Sequence, residues 1–132
     1  LTAQTIVLNH PVAFTAPNGN PVVAPSGPYH LAPAGTSDLR LLSARGPEAF
    51  IVQAITIKHS MRLAEPIALA TAGNGSAFHI VLLYPDGHGI EATGTTDVVR
   101  GRGTTGAAGP AVQPLTEDAL SAAVERRLQR MR

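Results

Sequence analysis

Cysteine is absent from this 132-residue chain. Its absence excludes disulfide bonds, a thiolate nucleophile and any cysteine-ligated metal. Tryptophan is absent as well, and aromatic residues make up only 4%, so there is little with which to stack nucleobases. Charge is sparse. With 14% charged residues and a net charge of +1, no global field draws the chain to nucleic acid, and none is expected as a partner. Lys58 is the single lysine; the other basic residues are arginines. No apolar run approaches the ~20 residues that a bilayer-spanning helix needs, so no transmembrane segment is expected.

What the chain does have is aliphatic. Hydrophobic residues make up 44%, broken by 13 glycines and 11 prolines. That many turn formers argues against a mainly helical body. The length suits one domain with a tail. The clearest segment is Phe78 to Thr93, FHIVLLYPDGHGIEAT. An apolar run, a Pro-Asp-Gly turn and a second arm are the pattern of a β-hairpin. A type I turn at Pro85-Asp86 with Gly87 left-handed gives a G1 bulge. That register sets Leu82 opposite Ile90 and Ile80 opposite Ala92, apolar against apolar. The first arm is apolar on both faces, so it needs cover on both sides.

Other strand signals flank it. Thr5 to Leu8 reads as a strand, and Pro17-Asn18-Gly19-Asn20 turns the chain between Phe14 and Val22. Asp38 to Ala44 places Leu39 and Leu41 on one face. Ala49 to His59 alternates, with Ile51, Ile55 and Ile57 sharing a face that Gln53 interrupts. Ile67 to Ala72 follows. The expected fold is therefore all-β: an antiparallel β-sandwich or flattened barrel of about 7–8 strands over residues 1–100. A flexible Gly/Pro-rich linker, 101–114, and a C-terminal amphipathic helix, 115–132, complete the chain. Thr116 is the N-cap, and Leu115 and Leu120 sit at the staple positions. Leu120, Val124, Leu128 and Met131 form a narrow apolar stripe that needs a surface to rest on.

Candidate sites are few. Five histidines are present, and the best metal set they offer is His59, Met61 and His79. Alternate residues of a strand share a face, and imidazole with thioether suits a soft ion. Asp86 reads as turn chemistry, and Glu91 and Asp97 as solvated. No serine stands in a Gly-x-Ser-x-Gly elbow, and Gly73-Asn74-Gly75 lacks the lysine and helix of a phosphate loop. The metal motif of cupins, the cysteine ligand of cupredoxins, the paired His-x-Met motifs of periplasmic copper chaperones and the Cys…Trp…Cys of immunoglobulin-like domains are all missing.

These features lead to the expectation of a non-enzymatic module that works by protein–protein contact or self-association, as a homo-oligomer or a subunit of an envelope or extracellular assembly. Its anchors would be Leu120, Val124, Leu128 and Met131, and Arg126, Arg127 and Arg130 offer contact with an anionic surface. No cofactor is expected. The alternative is a metal- or small-ligand-binding β-domain using histidines. The start at Leu1 and the low-lysine, Thr/Gly-rich composition lead to a periplasmic or extracellular location, with a signal peptide removed.

Overall fold

A computed structural model describes residues 4–35, 37–97 and 115–131. Ten strands are present among them: β1 (Thr5–Leu8), β2 (Val12–Thr15), β3 (Pro21–Ala24), β4 (Gly27–Ala34), β5 (Asp38–Ser43), β6 (Ala49–Gln53), β7 (Ile55–Lys58), β8 (Ile67–Ala72), β9 (Ala77–Leu83) and β10 (His88–Thr95). Helix α1 (Glu117–Met131) follows. The linker expected at 101–114 lies outside the described residues.

All strand pairs are antiparallel. One sheet runs β1-β4-β5-β6, the other β3-β2-β10-β9-β8, with β7 also paired to β10. The two sheets face each other as a sandwich. Between them lie Ile6, Phe14, Leu31, Leu39, Leu41, Ile80 and Leu82, all nearly inaccessible to water. Residues on a strand alternate between faces, so β9 sends Phe78, Ile80 and Leu82 into this core and Val81 and Leu83 to its outer side. There a second cluster joins Ile67, Leu69, Val81 and Leu83 to Leu120, Ala123 and Val124 of α1. The double-sided apolarity of β9 thus comes from a three-layer stack, sheet on sheet on helix, and the outer cover is the chain's own helix.

The β9–β10 hairpin has the expected register: Leu82 pairs with Ile90 and Ile80 with Ala92. Gly87 has φ 94°, and its amide bonds to Tyr84 O at 3.3 Å while Tyr84 N bonds to His88 O at 2.8 Å. The β2–β3 turn is built on Gly19 at φ 88°, with Asn18 Oδ1 accepting from Asn20 N at 3.0 Å.

The segment 49–59 departs from expectation. It breaks at Ala54 and changes sheets, β6 pairing with β5 and β7 with β10. In β6 the faces are also reversed, whereas Ile57 of β7 packs against the cluster under α1 as an apolar face should. Cross-strand partners share a face, and the core residues Leu39 and Leu41 pair with Val52 and Phe50. Val52 is therefore buried, while Ile51 and Ile55 are 42% and 49% exposed. Gln53 is explained by a long-range bond: its Nε2 donates to Ala16 O at 3.0 Å, clasping the β2–β3 turn.

Candidate functional site

The helix forms where its cap allows. Thr116 Oγ1 accepts from Ala119 N at 3.2 Å, and Glu117 and Asp118 occupy the first turn, at the positive end of the dipole. Two carboxylates then fasten this end, one to strand β10 and one to the connection between β7 and β8. Glu91 of β10, 1% exposed, accepts from Leu115 N at 3.1 Å and from His79 Nδ1 at 3.0 Å. Glu117 accepts from both the amide of Ser60, at 2.8 Å, and the Ser60 hydroxyl. Those hydrogen bonds hold the Glu117 carboxyl below the usual carboxylate range, against a smaller opposing effect of desolvation and with help from His59.

The expected metal ligands do not meet. His59 Nε2 donates to Tyr84 O at 2.7 Å, and its Nδ1 accepts from Met61 N at 3.1 Å. A carbonyl only accepts and an amide only donates, so the tautomer is fixed and both nitrogens are engaged. His79 lies five residues from Tyr84 along β9, a separation of about 16 Å at the strand rise. Its Nδ1 faces Glu91 and Thr93, and its Nε2 packs so closely on Gly73 that a Cβ there would stand 2.4 Å away. Met61 turns its side chain to the apolar layer under α1. Among the described residues no cluster of three His, Asp or Glu forms.

The expected contact residues divide. Leu120 and Val124 are buried at 2% and 4% against β8 and β9, whereas Leu128 is 38% exposed. The side chain of Met131 lies outside the described residues. Two of the anchors expected to reach a partner are therefore spent on the chain's own sheet, because the outer face of β9 supplies the surface the stripe needs.

The arginines converge. Positions 123, 126, 127 and 130 lie on one helical face, and with β1 and β8 they enclose a cleft of about 520 Å³. Its sheet side is mixed, with Val7 and Ala70 beside Asn9 and Thr71 while Ile6 and Leu69 are nearly fully buried, and Arg126, Arg127 and Arg130 line it from the helix. Val7 is 47% exposed. Arg127 donates from its guanidinium to Thr5 O across the seam. Burial, and next the charge of Arg130, lower its pKa. Among the described residues, no carboxylate lines the cleft and none pairs with Arg126 or Arg130. The sequence signals the arginine cluster but not the β1 and β8 walls, which come from more than fifty residues away in the chain.

Compared with known proteins, the chain matches no family model, no curated protein and no solved structure.

Proposed function

We propose that this chain is a non-enzymatic, exported β-domain that works by contact with another protein, as a subunit of an envelope or extracellular assembly, and that the cleft between α1, β1 and β8 is its contact surface. One observation carries this reading: three arginines and the exposed Val7 gather around one concavity in which no described residue is a carboxylate. Arg is favoured at protein interfaces because its planar fork pairs bidentately and sheds water at lower cost than an ammonium. Arg126 and Arg130 are exposed and Arg127 is anchored, so the wall is shaped before a partner arrives.

Cross-linking capture from extracts of the source cells tests the reading. The wild type, an Arg126→Gln/Arg130→Gln variant and an Arg40→Gln control on the distant strand β5 are compared quantitatively. A protein retained by the wild type and the control but lost by the cleft variant supports it. An identical captured set from all three overturns it.

A further inference from the structure

We infer that the cleft takes an extended acidic segment of a partner protein, in which carboxylates two residues apart engage Arg126 and Arg130 while the intervening aliphatic side chains turn towards Val7 and Ala70. The inference rests on the contact-module reading and adds the chemistry of the partner.

Spacing is the first argument. Arg126 and Arg130 are four residues apart on α1, a rise of about 6 Å along the axis. Side chains two apart on a strand recur on one face at about 6.6–6.8 Å. An alternating acid–aliphatic segment therefore meets both arginines with consecutive same-face carboxylates. Adjacent acids would point to opposite faces and satisfy one arginine at most.

Division of the cleft is the second. Its cations come from α1 and its aliphatic residues from β1 and β8, which suits a strand whose two faces differ in character. Val7, within the cleft, is 47% exposed. Charge complementarity is the third. Arg126 and Arg130 have no carboxylate partner among the described residues, and a carboxylate brings a charge-assisted, bidentate bond to each. An anionic membrane would be met best by cations spread over a flat face, whereas these three line a wall.

Fluorescence anisotropy with four probes tests the inference on the full chain: a labelled alternating peptide whose two glutamates flank one valine within a valine and threonine background, a peptide of the same composition with its two glutamates adjacent (the consecutive peptide), the alternating peptide with glutamine for glutamate, and labelled phosphatidylglycerol vesicles. The expected result is salt-sensitive binding of the alternating peptide. The consecutive peptide should bind about tenfold more weakly, the scale of one lost charge-assisted pair, and the glutamine peptide and the Arg126→Gln/Arg130→Gln protein, which lose both pairs, more weakly still. Unchanged thermal unfolding of the variant shows that the loss is local. Equal binding of the two glutamate peptides overturns the inference, as does equal binding to the variant or vesicle binding without peptide binding. If the alternating peptide fails while the variant still loses a captured partner, the acidic-strand inference falls and the contact reading stands. If both fail, both fall.

Discussion

The carboxylate of Glu91, on the central strand β10, accepts the amide hydrogen of Leu115 with a nitrogen–oxygen separation of 3.1 Å. The same group holds His79 Nδ1 at 3.0 Å. Glu91 thus joins the middle of the sheet to the start of the helix, at a point 1% accessible to water. Glu91→Ala would leave the Leu115 amide without its acceptor and weaken the hold on His79, which retains Thr93 Oγ1 at 3.1 Å. An unsatisfied donor costs about 1–3 kcal/mol when fully buried; the Leu115 amide is part-buried, so a loss of about 1–3 kcal/mol is expected in urea unfolding once the weakened His79 contact is included. Glu91→Gln keeps one acceptor oxygen and should lose clearly less. Equal loss in the two variants would show that the hydrogen bonds are not what the carboxylate supplies.

Burial separates the residues of the helix stripe. Leu120 is 2% exposed in the layer between α1 and the sheet, and Leu128 is 38% exposed. Truncating a buried leucine removes both its transfer free energy and the atoms that filled its site, about 2–5 kcal/mol. A largely exposed leucine loses little. Leu120→Ala should therefore shift the urea midpoint strongly, and Leu128→Ala by less than about 1 kcal/mol. A Leu128 effect as large as that of Leu120 would mean that the helix sits deeper than the structure places it.

How much of this could be read in the sequence follows from the range of the interactions. The Pro85-Asp86-Gly87 turn and the alternation around it fix the β9–β10 register locally, and Leu82 and Ile90 pair as the turn requires. The helix start was legible for the same reason, since Thr116 caps it within one turn. The orientation of β6 was not. A period of two shows that faces differ but not which is inward, and the deciding contact is Leu39 against Val52 across a hairpin. The break at Ala54 carries no glycine or proline, so nothing nearby marks the change of sheet. At the cleft, Arg126, Arg127 and Arg130 stand out in sequence. Their opposite wall is set by folding β1 and β8 alongside the helix, a tertiary event with no local signature.

Gly94 gives a third prediction, from close backbone approach. A Cβ at this position would stand 2.4 Å from the carbonyl oxygen of Ala13 and 2.8 Å from Phe14 Cδ1. β2 pairs with β10 at this point, through Thr95 and Ala13. A backbone oxygen cannot swing away as a side-chain tip does, so Gly94→Ala must separate the two strands. The expected cost is about 2–3 kcal/mol, the scale of overpacking a filled interior. Gly46→Ala is the control, since a Cβ there meets only Glu48 Oε1 at 3.7 Å, and it should change stability by less than about 0.5 kcal/mol. Similar midpoints for the two variants would contradict the tight approach of β2 to β10.

The clasp between Glu117 and Ser60 makes stability depend on pH in a stated direction. Hydrogen bonds from the Ser60 side chain and backbone lower the folded-state pKa of Glu117 below its ordinary 4.5. A carboxyl with a depressed folded value binds its proton more readily when unfolded, so stability rises with pH across the interval between the two values. The contribution is complete above the unfolded value of 4.5 and disappears as pH falls through the lower folded value. Glu117→Gln cannot ionise and lacks this component. The melting temperatures of wild type and Glu117→Gln should therefore differ most at neutral pH and converge on acidification through the carboxylate range. Ser60→Ala removes the hydroxyl donor but leaves the backbone amide at 2.8 Å, so it should narrow the gap without closing it. Because Glu117 is exposed, added salt should shrink its purely coulombic share while the two Ser60 hydrogen bonds persist. A difference between wild type and Glu117→Gln that stays constant from neutral to strongly acidic pH would show that the clasp does not select the ionised form.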